Sequence, residues 1–562
     1  VQLAIAIPLE GFVLGLSIGV WTAVFVSPEV PDRPTATAGR PDPWLLRALA
    51  GVAVLAFVAN GVPTLIDDAW VRRQEDALAA IENREISPLE ALRSPGLPSG
   101  SSTRTSYDVT AELTDEHLEW TTRIDYLNDT GKSLADIGIN VYPAAYERRV
   151  PEIPLAPDLV LADLTGEFRA EARPAELDVA RVAVNGTASV FARRGTALTI
   201  ELPDTLPPGH RTQLTIDLAA ELPHWPERFG VWRDTILLGN WIPVVAVRES
   251  GTWRLDRFGT IGDPFYARVA DYSVEIEADA LLGVVGSGVL TGVEEAGGDR
   301  RRWNFDAPAA RDAAFALGRF VRGLQTVVDG TTLRSWYPAT ERERGADNLE
   351  AAASALGDYA RRWGPPLYDE IDVVETEGMF GGMEYPGVVF VSAGTHALEG
   401  VPLLPHLITH AGFDDAQARY VVGHEIAHQW WYAAVGSDQI KQPWLDEALA
   451  EVAVRMWLRT TEGDDRTWRI TNLIPSASPR DHVVSAAIDD YATNAAYTED
   501  VYVSGAEVLM ELRARVGGAT FDAILAEWYE RKTLETGTIE EFLDVVEEVG
   551  GGEAALFLSR YR

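Results

Sequence analysis

The stretch VVGHEIAHQWWYAAV, residues 421–435, is the part of the sequence that decides the fold of this chain. His424 and His428 are four residues apart, so on a helix both imidazoles lie on one face and can reach one zinc ion. Glu425 follows the first histidine, where its carboxylate reaches a water beside the ion rather than the ion itself. That is the position of a general base, and the spacing predicts a zinc-binding helix over residues 416–435.

A third ligand is expected from the next helical segment, WLDEALAEVAVRMWL, residues 444–458. Glu447 lies 19 residues after His428, which leaves room for a loop and for a second helix that returns alongside the first. Two histidines and one glutamate, with one position left open, form a known hydrolytic zinc site. The sequence therefore predicts one Zn2+ per chain.

A second histidine pair, His406 and His410 in HLITH, has the same spacing. Leu407 stands where the base should be, and Gln429 stands 19 residues beyond His410. This pair lacks both carboxylates that hydrolysis needs, so it is interpreted as structural.

Composition excludes several classes of protein. The chain of 562 residues carries a formal net charge of −37, and a nucleic-acid-binding protein needs a basic surface instead. It contains no Cys, which excludes disulfides, thiolate zinc sites and cysteine nucleophiles. Any metal must be held by His, Asp and Glu.

The first 70 residues are predicted to form two transmembrane helices. Residues 11–28 and 48–66 contain no charged side chain, and about 20 apolar residues suffice to cross a bilayer. Arg33 and Arg40 lie in the loop between them, which favours a cytoplasmic loop. We therefore expect a protein of the cell membrane whose catalytic domain is extracytoplasmic.

The remaining chain is expected to have an α+β fold. Residues 71–106 are predicted to be a helical stalk and linker, ending in SPGLPSGSSTRTS. Residues 107–330 alternate apolar and polar side chains, as in HLEWTTRIDY and QLTIDL, which predicts an antiparallel β-sandwich or saddle-shaped sheet. Residues 331–562 change to helical spacing, which predicts a mainly helical domain around the zinc.

These motifs resemble the gluzincin zinc aminopeptidases of the aminopeptidase N and leukotriene hydrolase type. The resemblance rests on HEIAHQWW and WLDEALAE, on GGMEYPG (381–387), similar to that family's G-x-M-E-N motif, and on AYTEDVYVSG (496–505). It implies a thermolysin-like catalytic domain and zinc-dependent removal of N-terminal residues from peptides. The chain resembles a membrane-anchored, bacterial-like variant without the large helical C-terminal domain of many relatives.

The resemblance also assigns roles to individual side chains. It implies that zinc binds His424, His428 and Glu447, and that Glu425 activates the attacking water. Tyr502 is expected to donate a hydrogen bond to the developing oxyanion. Tyr497, five residues earlier, is the alternative for that role.

Substrate recognition is implied for five residues, namely Gly381, Gly382, Met383, Glu384 and Asp263. Glu384 would pair with the free α-ammonium of the peptide, and the two glycines would shape the strand beside the substrate. Two positions depart from the family. Tyr385 replaces its final Asn, and Gly262 stands where a Gln or Glu is usual, so the adjacent Asp263 is expected to substitute.

The expected partners are peptide substrates, the lipid bilayer and a membrane permease, with no nucleic acid. Two alternatives stay open at this stage. One is a metallopeptidase that does not require a free N-terminus. The other is a catalytically silent peptide-binding module of a membrane transport or permease assembly, although such a module has no need of the base Glu425.

Overall fold

The described part of the chain begins with a strand well inside the predicted stalk. The structure is a computed structural model that describes residues 84–91, 103–147, 172–259, 261–319, 323–338, 341–376, 381–392, 413–463, 467 and 485–561. The predicted transmembrane segments and the pair His406 and His410 lie outside these residues. Among the helices that are described, none combines the length and the apolar character needed to span a bilayer.

The largest sheet follows from strict alternation of side chains along its strands. In His117–Leu127 every second residue from Leu118 to Tyr126 is buried, which gives the sheet one face toward the core. In order across the sheet, its eight strands are Val289–Gly297, Arg300–Ala310, Ala270–Asp279, Ser106–Thr114, His117–Leu127, Arg211–Glu221, Glu176–Val184 and Thr187–Ala188. All neighbours are antiparallel except Ser106–Thr114 and Ala270–Asp279, which are parallel.

Smaller sheets complete this β-rich half. One four-stranded sheet contains Val244–Val245, Leu134–Asn140, Ala197–Leu206 and Phe191–Arg194. Another contains Phe229–Trp232, Thr235–Leu238, Phe315–Gly318 and Gly283–Gly286, and the strands Arg248–Glu249 and Thr252–Trp253 form a short hairpin. A core of buried aromatic side chains, including Trp120, Trp241 and Phe315, packs between them. The expected β-rich architecture is therefore confirmed, although its pairing is not purely antiparallel.

A mixed six-stranded sheet belongs to the catalytic half. Its order is Arg84–Ile86, Gly323–Val328, Thr331–Trp336, Glu370–Glu375, Val388–Val391 and Gly382–Met383. Residues 84–86 were expected to be helical, and that expectation is wrong. They pair with residues 323–325 and bury Ile86, because edge pairing and burial outweigh local helix propensity. The predicted boundary at 330 falls in the turn of a hairpin.

Helices cover the end of this sheet and hold the site. Within the described residues, the α-helices are Arg342–Trp363, Phe413–Ala427, Trp444–Thr461, Asn494–Tyr497, Gly505–Val516, Gly518–Lys532, Ile539–Val545 and Gly552–Leu558. Short helical turns of other types are Pro88–Ala91, Tyr142–Glu147, Gln429–Ala434, Ile488–Asp490, Thr498–Ser504, Val546–Gly550 and Ser559–Tyr561. Apolar spacing in Arg342–Trp363 buries Leu349, Leu356 and Tyr359 in the hydrophobic core of the helical half. The α+β class, with sheets first and helices later, is thus confirmed.

One predicted helix is interrupted just after the second histidine. Residues 416–435 were expected to form a single helix, but the α-helix Phe413–Ala427 gives way to a wider turn, Gln429–Ala434. Trp431 and Tyr432 leave helical backbone angles there. Side chains contact the two backbone carbonyls that have lost helical partners there. His428 Nδ1 lies 3.0 Å from Trp431 O, and Arg311 Nε donates to Tyr432 O at 2.9 Å. Tertiary hydrogen bonds therefore end this helix.

Candidate metal centre and active site

Two helices bring the predicted ligands together, and we call them the motif helix (Phe413–Ala427) and the carboxylate helix (Trp444–Thr461). They approach closely at Gly423, where an added Cβ would lie 2.4 Å from the Trp457 ring. The Gly423 carbonyl also accepts a hydrogen bond from Tyr359 at 2.9 Å. The residue before His424 therefore has to be small for the two helices to keep this separation.

His424, His428 and Glu447 converge on one point. His424 Nε2 lies 3.1 Å from His428 Nε2 and 3.1 Å from Glu447 Oε2, and His428 Nε2 lies 3.5 Å from the same oxygen. A tetrahedral zinc with bonds of about 2.0–2.1 Å has ligand-to-ligand edges of about 3.3 Å. All three side chains are buried, and their donor atoms lie close enough to share one ion. The residues present therefore fit a zinc ion.

Further carboxylates orient the two imidazoles. His428 Nδ1 lies 2.7 Å from Asp446 Oδ1, and His424 Nδ1 lies 3.3 Å from Glu451 Oε2. Such contacts favour the Nδ1–H tautomer and leave each Nε2 lone pair for the metal. At His428 the contact is a hydrogen bond, whereas at His424 it is at ion-pair distance without hydrogen-bond geometry. Sequence analysis missed both residues, although WLDEALAE contained the signal, an acid directly before Glu447 and another four residues after it.

The Glu447 carboxyl is held in its ionised form. Burial alone would raise the pKa of Glu447. Hydrogen bonds from His424 and His428 outweigh burial and hold that pKa far below its ordinary value. An ionised carboxylate is the form that binds a metal ion.

Glu425 lies beside these ligands and not among them. Its carboxylate is buried, and Oε2 has no hydrogen-bond partner among the described residues. Gly382 lies against it, since a Cβ at that position would stand 2.2 Å from Glu425 Oε1. Burial raises the pKa of Glu425 to about 7, while His424 and His428 act in the opposite direction. A buried carboxylate with a free oxygen can accept a proton from a reacting water.

Both candidate tyrosines are near the centre, in different positions. The Tyr502 ring stacks on His424 at 5.7 Å, and its hydroxyl is within hydrogen-bond reach of Glu447. Burial, and then the charge of Glu447, raise the pKa of Tyr502 well above its ordinary value, so the hydroxyl keeps its proton. Tyr497 packs edge-on against Tyr502 at 5.7 Å and contacts Gly262. Tyr502 is therefore in direct contact with the ligand set.

Acidic side chains line the adjoining part of the site. Asp263, Glu384 and Glu447 each place a carboxylate oxygen within 4.8 Å of the others. Arg228 Nη1 donates to Asp263 Oδ1 at 2.5 Å, whereas Glu384 has no cationic partner among the described residues and only a 3.4 Å contact from Gln439. Burial, and then Asp263, raise the pKa of Glu384 well above its ordinary value. This cluster could accept a positively charged group.

The side chains that flank Glu384 point into the protein. Met383 is buried in the core of the β-rich half. The Tyr385 hydroxyl donates to Asn240 Oδ1 at 2.9 Å, and Asn240 Nδ2 donates to Asp312 Oδ2 at 2.7 Å. Gln429, directly after His428, donates to the Tyr385 carbonyl at 3.2 Å. Tyr385 therefore connects the segment that carries Glu384 to both halves of the molecule, through its hydroxyl and its carbonyl, and its hydroxyl donates to Asn240 rather than to the acidic cluster.

Comparison with known proteins finds a family match within the helical half of the chain. Residues 359–561 match the model of the peptidase family M1 domain. Aminopeptidase M1-B of Oryza sativa subsp. japonica is 24% identical over 249 residues, which are 42% of this chain. The match spans only 27% of the rice protein's length.

Solved structures share the fold of both halves. An M1 zinc metallopeptidase from Deinococcus radiodurans superposes with a TM-score of 0.56 at 16% identity, covering 85% of this chain and 97% of that one. A mutant of that metallopeptidase, bound to a Tyr-Ser-Ala substrate, has a TM-score of 0.55 at the same identity and coverage. Residues 359–561 therefore match a peptidase family M1 domain, and the chain shares the fold of an M1 zinc metallopeptidase.

Proposed function

We propose that this protein is a zinc-dependent metallopeptidase that removes N-terminal residues from peptides. The observation that carries the proposal is the convergence of His424 Nε2, His428 Nε2 and Glu447 Oε2 within 3.1–3.5 Å of one another. A base with an unpartnered oxygen, Glu425, stands beside them. A protein that only bound peptides would have no use for that arrangement.

His424, His428 and Glu447 would hold the ion, with Asp446 and Glu451 fixing the two imidazoles. When bound, the zinc would lower the pKa of a water molecule and polarise the scissile carbonyl. Glu425 accepts the proton that the attacking water gives up and delivers it to the departing amine.

Tyr502 supplies the second stabilising interaction. Its protonated hydroxyl donates a hydrogen bond to the oxygen on which charge develops, an interaction that is stronger in the transition state than in the bound substrate. Stacking on His424 keeps the phenol beside the ligand set. Tyr497 supports the Tyr502 ring from its edge.

The acidic cluster explains why a free N-terminus would be chosen. Glu384 is buried and lacks a cationic partner among the described residues, so a substrate α-ammonium would favour its ionised form and pair with it. Asp263 stands close enough to share that ammonium, although Arg228 already neutralises part of its charge. Fixing the ammonium one residue from the scissile bond limits cleavage to the terminal residue.

Two measurements test the assignment. Glu425→Gln should keep one zinc per chain and lose about hundredfold or more in kcat on an amino-acid arylamide, because a general base contributes that much. Unimpaired turnover by this variant would refute the mechanism. Removing zinc with a chelator should abolish the activity, and adding zinc back should restore it.

The requirement for a free amine is tested separately. Peptides with a free N-terminus should be cleaved much faster than their N-acetylated forms, and Glu384→Gln should narrow that difference. Equal rates on both kinds of peptide would remove Glu384 from its role and support a metallopeptidase that ignores the N-terminus.

We also propose that the protein is anchored in the cell membrane with its catalytic domain outside the cytoplasm, next to a permease. The uncharged stretches 11–28 and 48–66 support the membrane anchor, since each is long enough to cross a bilayer. The full chain should sediment with membranes and resist alkaline carbonate extraction. A protease added to intact cells should cleave the catalytic domain, and its protection there would reverse the orientation.

A further inference from the structure

A cavity of about 480 Å³ lies between the β-rich half and residues 534–536 of the helical half. Its volume is within the range of small-molecule sites, about 300–1,000 Å³. None of the proposed metal ligands, nor Glu425, Glu384 or Tyr502, lines it. It is therefore separate from the site described above.

The lining of this cavity is positively charged, in contrast to the chain as a whole. Four arginines line it, namely Arg104, Arg248, Arg268 and Arg311, against two acidic residues, Asp129 and Glu535. The chain has a formal net charge of −37, so such a concentration of arginine is unusual for it. We call this feature the arginine cavity.

Two of the arginines are already paired with acids. Arg268 Nη1 donates to Asp129 Oδ2 at 2.9 Å, and both of these side chains are well exposed. Arg104 Nη1 donates to Asp271 Oδ1 at 3.1 Å. A surface pair such as Arg268 with Asp129 is weak and can exchange partners.

Arg248 is the least satisfied cation of the four. Within the described ranges no carboxylate lies at ion-pair distance from it, and its buried Nε has no hydrogen-bond partner. The neighbouring Glu249 is already occupied by Arg254 at 3.0 Å and Lys441 at 3.0 Å. The Arg248 guanidinium lies over the Trp253 ring at 5.6 Å, which holds it in place without neutralising it.

Arg311 adds a second charge that no acid compensates. It is 4% exposed, and its guanidinium donates to two backbone carbonyls, Tyr432 O at 2.9 Å and Glu535 O at 2.5 Å. Across the residues that the structure describes, no carboxylate lies at ion-pair distance from it. Neutral carbonyls satisfy its hydrogen bonds but leave its charge in place, so an anion in the cavity is favoured.

We propose that the arginine cavity binds a small anion that carries a carboxylate or a phosphate group, with Arg248 as its principal contact. The planar guanidinium presents paired N–H donors that match two oxygens of either group. Tyr126, Trp253 and Tyr266 also line the cavity and offer ring faces to the rest of such a ligand. Binding here does not depend on the proposed peptidase activity.

The test is calorimetric titration of the full chain with inorganic phosphate and, separately, with citrate at matched ionic strength. We expect saturable binding of at least one of them, and the tighter of the two identifies the source of the anionic group. Arg248→Gln should weaken that binding about tenfold or more, since a hydrogen bond to a charged group is lost. Arg181→Gln, which removes an equal charge from a side chain that is 54% exposed outside the cavity, should leave it unchanged.

Two results would overturn the proposal. One is the absence of saturable binding for both anions, and the other is an equal loss in Arg248→Gln and Arg181→Gln. If Arg248→Gln does not fold, Arg268→Gln takes its place, because that side chain is 59% exposed and its removal leaves the core intact. Affinity in Arg268→Gln equal to that of the unmodified protein would then count against the cavity.

Discussion

Gly382→Ala should disable the base without touching the metal ligands. The new Cβ would stand 2.2 Å from Glu425 Oε1, 2.3 Å from Cδ and 2.4 Å from Cγ. Since nonbonded atoms pack at about 3.5 Å, the Glu425 side chain must retreat by about 1 Å. A displacement of that size costs about hundredfold in rate, or about 2.7 kcal/mol of transition-state stabilisation. We therefore expect kcat/KM to fall about hundredfold.

The assay is hydrolysis of an amino-acid arylamide, with zinc content and thermal unfolding measured on the same samples. Zinc should stay at one per chain, because the three atoms nearest the added Cβ all belong to Glu425 and none to a predicted ligand. Gly381→Ala is the matched variant, as its Cβ would meet nothing nearer than Val421 at 3.8 Å. It should lose far less activity, and equal losses in the two variants would refute the steric argument.

Three further outcomes are expected. Asp446→Asn should weaken zinc binding about 10–100-fold in a chelator competition, because His428 loses the partner that orients it. Tyr385→Phe should lower the free energy of unfolding in urea by about 1–3 kcal/mol, because the buried Asn240 Oδ1 loses its donor. Burial raises the pKa of Asp312 from 3.8 to about 7, so the native state binds more protons than the unfolded chain in that window. The free energy of unfolding should therefore fall as pH rises from about 4 to about 7, and less so in Asp312→Asn.

The relative positions of the predicted ligands followed from helical spacing and from the length of the segment between the two helices. His424 and His428 share a helix face at a separation of four, and Glu447 lies in the first turn of the helix Trp444–Thr461, where the sequence predicted a helical segment from residue 444. Alternation in His117–Leu127 and Arg211–Glu221 likewise predicted strands whose alternate side chains are buried. Local periodicity determines such features, so one sequence suffices.

Features that depend on distant partners were not predictable. The strand Arg84–Ile86 exists because it pairs with residues more than two hundred positions later. Arg311, which is distant in sequence, donates a hydrogen bond to Tyr432 O where the helix that carries the two histidines ends. The orientation of Tyr385 depends on Asn240, and the Asp263 carboxylate is held by a hydrogen bond from Arg228. No local pattern in the sequence records these contacts.

The close approach of the motif helix and the carboxylate helix at Gly423 has a consequence for assembly. The Trp457 ring packs against the Gly423 backbone and sets the distance between the two helices, and the surrounding apolar core maintains that distance. Packing therefore sets how far the segment that carries the two imidazoles lies from the helix that carries the Glu447 carboxylate. We therefore expect the fold to persist when zinc is removed, with loss of the proposed catalytic activity.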